Sequence, residues 1–283
     1  MSNDSSNQSR VKRLSIRRKV VAQQRATPTS VQETVPAEPG VGMRPIFVVF
    51  FVLALFLVTQ FAAVVFLSIV LMGFGWDAQR IEDWFTNAVL GQFSYMFIAQ
   101  GLVVSSVFTY LRVRNIRFSA IGWTRPRWQH IGYALLGIVV YLAAYILMLV
   151  VAKILIPSLD LEQEQQTGFE SASTTTELIL TGISLVLLPP IVEEILFRGF
   201  LYTGLRKALS FWPAAVITSI VFGAGHLQFG SGAPLLWVAA LDTFALSMVL
   251  TFLREHTKSL WPAIIIHMLK NALAFSLLFI FTS

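Results

Sequence analysis

The chain contains no cysteine. Disulfide staples, thiolate nucleophiles and thiolate metal sites are therefore excluded, although this says nothing about which side of a membrane the loops occupy. Charge is scarce as well. Asp, Glu, Lys and Arg make up 13% of 283 residues against 55% hydrophobic ones, with a mean hydropathy of +0.70. That balance lies outside the range of soluble domains and reads as an integral membrane protein. Acidic residues are the rarer sign, leaving a formal net charge of +6. The basic excess is concentrated near the N-terminus, so it argues for orientation and lipid contact, with no nucleic-acid partner. A His-Glu-x-x-His pair is also missing, which excludes the zinc-protease helix that carries two histidines on one face.

What the chain does have is long apolar runs. Residues 1–43 come before them and are rich in Ser, Gln, Thr and Pro, with Arg10, Lys12, Arg13, Arg17, Arg18, Lys19 and Arg25. This stretch is expected to be a disordered basic cytoplasmic tail. Residues 44–283 are expected to form one transmembrane helical domain. Apolar segments fall near 46–73, 88–111, 131–156, 177–203, 212–229, 234–254 and 260–282. Each is long enough, or nearly so, to cross a bilayer core. The expected fold class is all-α: a polytopic transmembrane helical bundle of about seven spans, or eight if an irregular segment hides one more crossing.

Every tryptophan (Trp76, Trp84, Trp123, Trp128, Trp212, Trp237 and Trp261) falls at or just outside a segment end. An interfacial aromatic belt requires that placement. Loop charge alternates too. The tail, the loop with Arg112, Arg114, Arg117, Arg125 and Arg127, the Arg206-Lys207 turn and the Arg254 to Lys258 turn are basic. The intervening loops hold Asp77, Glu82 and Asp83, then Asp160, Glu162, Glu164 and Glu170. This pattern predicts a multi-pass protein with its N-terminus in the cytoplasm, in a bacterial plasma membrane.

Charge inside an apolar segment calls for a functional explanation. The sharpest case is Pro189-Pro190-Ile191-Val192-Glu193-Glu194-Ile195-Leu196-Phe197-Arg198. On a helix, Glu194 and Arg198 share a face one turn apart, acid first, which favours pairing. Glu193 points about 100° away and is left free to hold a proton or a water. Two further groups are Phe222-x-x-x-His226, with Gly223 and Gly225 permitting close backbone approach, and His267-x-x-x-Asn271. Counted from the basic ends, Glu193, His226, His267 and Asn271 all lie roughly 14 to 21 Å deep. Burial disfavours the charged form of both group types, so a buried Glu and His come to share a proton near neutrality. Such a pair can deprotonate a water attacking a carbonyl, while the other His and the Asn donate to the oxyanion. Pro189 and Pro190 should kink the helix and free carbonyls just before Glu193.

Each motif has a plainer reading. Glu194 with Arg198 alone is a structural pair, His226 alone a satisfied core histidine, and His267 with Asn271 alone interhelical glue. Their joint occurrence at one depth is what points to a site. Asp242 and Lys270, both roughly 18 Å deep, are expected to form a structural ion pair between the last two helices.

The three motifs resemble the CAAX protease and bacteriocin-processing (CPBP or Abi) family, which includes the type II CAAX prenyl endopeptidases. The resemblance runs over about residues 115–275, from Phe118-Ser119-Ala120-Ile121-Gly122-Trp123 through His267-Met268-Leu269-Lys270-Asn271. It implies that Glu193 and His226 hold and activate the hydrolytic water. His267 and Asn271 would stabilise the oxyanion, and Glu194 with Arg198 would support the site. Lys270 departs from the apolar or small residue expected beside Asn271. Family members have been described both as metalloproteases and as glutamate-dependent proteases. No cofactor is favoured here; a zinc, if present, would be held by Glu193, His226 and His267.

The expected function is an intramembrane endopeptidase acting on a protein or peptide substrate, with membrane lipids as its other partner. One alternative is a non-proteolytic scaffold or bacteriocin-immunity protein keeping the same fold. Another is a proton-coupled transporter, since intramembrane carboxylates and histidines also form relays.

Overall fold

In hydrocarbon, every backbone N–H and C=O must find its partner within the segment, so apolar runs of this length fold as helices. The computed structural model describes residues 40–163, 167–228 and 235–281. They lie in one compact unit, Glu38–Ser283. Most of the expected tail, residues 1–39, is outside the described residues. Its end is packed: Val41 is fully buried, and its carbonyl accepts a 2.9 Å bond from the Tyr110 hydroxyl.

The helices are α1 (Pro45–Gly73), α2 (Ala78–Asn87), α3 (Val89–Val113), α4 (Gln129–Leu155), α5 (Thr175–Arg206), α6 (Phe211–Ala224), α7 (Trp237–Thr257) and α8 (Trp261–Phe279). A 3₁₀ turn, Phe118–Ile121, lies between α3 and α4. No strand occurs among the described residues. Six helices, all except α2 and α6, are long and apolar enough to cross a membrane.

Two expectations need correction. The fifth apolar segment is no full span: α6 has 14 residues, about 21 Å of rise against a core of about 30 Å. Gly225, then Gly230, Gly232 and Pro234, give the following sequence little helical preference, so α6 stops beside His226. The acidic stretch after α1, read as a loop, contains α2. There Asp77 caps the helix by accepting the Arg80 N–H at 2.8 Å, and Arg80 stacks 4.0 Å over Trp76.

Charge separates the two ends of the bundle. At the basic end, Arg254 donates to the Ala120 carbonyl at 3.2 Å, Leu260 N–H to the Gly122 carbonyl at 2.9 Å, and Arg206 pairs with Glu255 at 3.0 Å. At the acidic end, Gln163 donates to the Leu235 carbonyl at 3.2 Å and Ser171 to that of Asn87 at 3.0 Å. Gly122 has φ +84°, and a Cβ there would run into the Arg254 guanidinium, so both backbone and space require glycine.

Within the bundle, α7 is central. Half of its apolar window is buried, against 17% for α4, whose Leu135, Val139, Ile146 and Ile154 face outward as lipid-contacting residues do. Gly223 lets α6 meet α7 closely, since a Cβ there would lie 2.9 Å from the Ala240 carbonyl oxygen. On its other sides α7 packs against α4 and α8.

Candidate active site

The proline pair shapes α5. Pro189 and Pro190 have no N–H, so the Leu185 carbonyl loses its partner four residues on and also the alternative one five residues on. The helix responds with a π-helical stretch at Ile183–Leu187 before the prolines and another at Glu194–Leu201 after them. The freed oxygen does not go unmet. Asn271 on α8 donates its Nδ2 to the Leu185 carbonyl at 2.9 Å.

Eight residues further along α5, Glu193 and Glu194 part ways. Glu194 is fully buried, and one oxygen, Oε1, receives Arg198 Nη1 at 2.8 Å and faces His267 Nδ1 at 3.0 Å. The expected one-turn pair is therefore present, and it extends across to α8. Glu193 points elsewhere. Its side chain is 20% exposed, and its Oε2 lies 3.8 Å from His267 Nε2 with no hydrogen-bond partner in the protein.

His226 stands at the end of α6, with Nδ1 2.9 Å from the Phe222 carbonyl oxygen. It lies within electrostatic reach of Glu193, His267 and Lys270. The two Nδ1 contacts, one to a carbonyl and one to a carboxylate, favour the Nδ1–H tautomer for both histidines, leaving each Nε2 as a proton acceptor. Phe222 is the hub. Its ring carries Arg198 at 4.3 Å and has the His226 ring centre at 4.9 Å and that of His267 at 5.9 Å.

The structure thus gathers Glu193, Glu194, Arg198, His226 and His267 around Phe222. Asn271 lies on the same face of α8 as His267, but reaches further towards the acidic end, to Leu185. One of its amide hydrogens is engaged there and the other remains to donate. With neutral imidazoles, two carboxylates and one guanidinium leave the cluster one negative charge in excess.

Glu193 Oε2 and the two Nε2 atoms are donors of the zinc-binding kind, and each imidazole has its second nitrogen engaged, as metal-bound histidines do. Their placement does not match. Among the described residues, no group of three or more His, Cys, Asp or Glu is arranged to hold a metal ion.

Beside the cluster, Lys270 and Asp242 form the expected ion pair, at 2.9 Å, between α8 and α7. Tyr141 on α4 donates its hydroxyl to Asp242, so three helices are pinned at this level. Sequence reasoning missed Tyr141 and the hub role of Phe222, and it expected freed carbonyls without naming that of Leu185. Only the last had a legible signal: two consecutive prolines name the carbonyl they orphan.

Residues 175–273, from the start of α5 into α8, match the family described as type II CAAX prenyl endopeptidase Rce1-like. All six residues of the site lie within the Rce1-like segment, as do Asp242 and Lys270; Tyr141 does not. The chain is 32% identical over 112 residues to the Bacillus subtilis (strain 168) protein named "Putative membrane peptidase YdiL", covering 37% of this chain and 43% of that one. It is also 32% identical over 94 residues to an uncharacterized 24.3 kDa protein of Escherichia coli, covering 32% of this chain and 41% of the relative. The chain therefore spans less than half the length of these relatives. No solved structure matches it. With six candidate spans and a membrane-protein relative, the chain is an integral, multi-pass membrane protein.

Proposed function

We propose that this chain is an intramembrane endopeptidase in which Glu193 and a histidine activate water for attack on a peptide carbonyl. One observation carries the reading: a buried carboxylate oxygen with no protein partner, Glu193 Oε2, lies 3.8 Å from an imidazole Nε2 at membrane depth. The match of residues 175–273 to the Rce1-like family supports the reaction class, and the peptidase name of the Bacillus subtilis relative agrees with it.

In this mechanism Glu193 and His226 Nε2 orient a water and take its proton as its oxygen bonds to the carbonyl carbon. His267 and the second amide hydrogen of Asn271 would stabilise the developing oxyanion. The C–N bond then breaks, the leaving amine receives the proton held by Glu193, and a carboxylic acid and an amine result, the acid then passing its proton to the amine to give carboxylate and ammonium. Arg198 and Glu194 hold His267 in its tautomer without touching substrate. In this reading the site is reached from the cytoplasmic side, where the loop charges predict the N-terminus.

The test is replacement of the wild-type chain by Glu193→Gln in its own cells, followed by comparison of membrane proteomes. Accumulation of at least one uncleaved precursor is expected. Unchanged proteomes with full complementation by Glu193→Gln would overturn proteolysis in favour of a scaffold that keeps the fold.

A further inference from the structure

A Ser or Thr inside an apolar helix has a ready partner for its hydroxyl, the carbonyl one turn back. Thr218 on α6 and Thr243 on α7 take it, donating to Ala214 at 2.8 Å and to Ala239 at 2.7 Å. Ser219, Ser247 and Thr251, on the same two helices and fully buried, do not. Their hydroxyls have no hydrogen-bond partner in the protein. The same holds for Nε and Nη2 of Arg198, whose side chain is also fully buried and which spends only Nη1 on Glu194.

Helix register places these atoms together. Near the basic end α5 and α7 lie side by side, joined by the Tyr202 hydroxyl to Glu255 at 2.7 Å and by Arg254 to Thr203 at 3.5 Å. Both helices run from the acidic end to the basic one. One turn back from Tyr202 and Glu255 therefore lie Arg198 on α5 and Thr251 on α7, and a second turn back on α7 lies Ser247, on the same face. Because Arg198 reaches back along α5 to Glu194, its guanidinium comes level with Ser247. The third helix, α6, runs the opposite way, with Gly223 against Ala240 and Phe244 of α7, so Ser219, one turn nearer the basic end, also comes level with Ser247. Ser219 stands one turn before Phe222, over whose ring Arg198 lies at 4.3 Å.

We propose that α5, α6 and α7 enclose a binding site for ordered water, in which Ser219, Ser247, Thr251 and the Nε and Nη2 hydrogens of Arg198 share one small cluster of water molecules. Buried polar atoms are met by protein or by water, and an internal water needs about two to four polar partners, which this set supplies. The donor count fits as well: Arg198 can only donate, so a water oxygen accepts from it and passes its own hydrogens to hydroxyl oxygens. Glu194 already neutralises Arg198, so the site has no excess positive charge to demand an anion. The water holds the side of the guanidinium that Glu194 leaves free. The site is independent of whether the chain cleaves peptides.

The test pairs melting curves of the purified full chain with a crystal structure at a resolution that shows ordered water. Thr251→Val and Ser247→Ala should each lower the melting temperature by roughly 2–4 °C, because the water loses a partner inside the bundle. The two changes together should cost less than their sum, because both hydroxyls serve one cluster. A dry hydroxyl gives the opposite sign: Thr251→Val would then remove an unmet polar group and raise the melting temperature. Solvent density within hydrogen-bond distance of Arg198 and of at least one hydroxyl is expected in the wild type, weakened in Thr251→Val with Ser247→Ala. A higher melting temperature in Thr251→Val, or no density at Arg198 where other buried waters are resolved, would overturn the site. An anomalous signal at that position after soaking in bromide would overturn water in favour of a halide ion.

Discussion

His267 Nδ1 lies 3.0 Å from Glu194 Oε1, the same oxygen that receives Arg198 at 2.8 Å. A single carboxylate thus holds the guanidinium on its own helix and an imidazole 73 residues away, and both heads of the ion pair are fully buried. The division of labour between the adjacent glutamates follows from this. Glu194 Oε1 is taken by structure, whereas Glu193 faces the Nε2 of His267 with an oxygen that has no hydrogen-bond partner in the protein.

Glu193→Gln keeps size and removes the base. We expect it to fold with unchanged thermal stability and to lose activity by roughly 10²- to 10⁴-fold, the range for general-base removal. Turnover of an identified precursor in reconstituted membranes, read beside a melting curve, measures both. Wild-type activity in this variant would remove Glu193 from the mechanism.

Glu194→Ala and Arg198→Ala should fail differently, because each leaves a partner charged and buried. A loss of roughly 3–5 kcal/mol is expected for either single change. The readout is folded yield after detergent extraction. Near-normal yield for Arg198→Ala would show that the pair is dispensable for the fold.

Asn271→Ala should orphan the Leu185 carbonyl at a cost of about 1–3 kcal/mol. Restoring a backbone donor with Pro189→Ala should recover part of that loss, because the new N–H can bond the same oxygen. A double-mutant cycle on thermal stability tests the coupling; strictly additive effects would mean the two sites do not share Leu185.

Lys270→Met alone and Asp242→Leu alone should each destabilise by leaving one charge unpaired, while the combined variant should regain most of the loss. Tyr141 makes the two singles unequal: without Asp242 its hydroxyl also loses an acceptor. Asp242→Leu is therefore expected to melt lower than Lys270→Met, and the reverse order would count against the three-helix clamp.

Strong chelation should leave activity unchanged, and purified protein should carry no stoichiometric transition metal, if Glu193 and the histidines act on water directly. Loss of activity on chelation with recovery on adding zinc would reassign Glu193, His226 and His267 as ligands.

Much of this architecture was readable along the chain, for physical reasons. Apolar length sets a span, so segments near 46–73, 88–111 and 177–203 became α1, α3 and α5. Helical period sets a face, so Glu194 meets Arg198 at four residues' spacing. Rise per residue sets depth, so Asp242 and Lys270 could be paired across two helices. Where propensity and hydropathy disagreed, hydropathy misled: 212–229 is mostly apolar, but its glycines end α6 at Ala224.

The amino-acid sequence alone determined which groups lie in the membrane, at what depth and on which side of their own helix, because those properties depend on neighbours a few residues away. Only the tertiary structure decided that Glu194 and not Glu193 takes the Nδ1 of His267, that Asn271 turns to Leu185, and that Phe222 lies among the charged groups. Those choices are made by the contacts of side chains 24 to 86 positions apart, where a shift of one ångström exchanges one hydrogen-bond partner for another and no local pattern records the outcome.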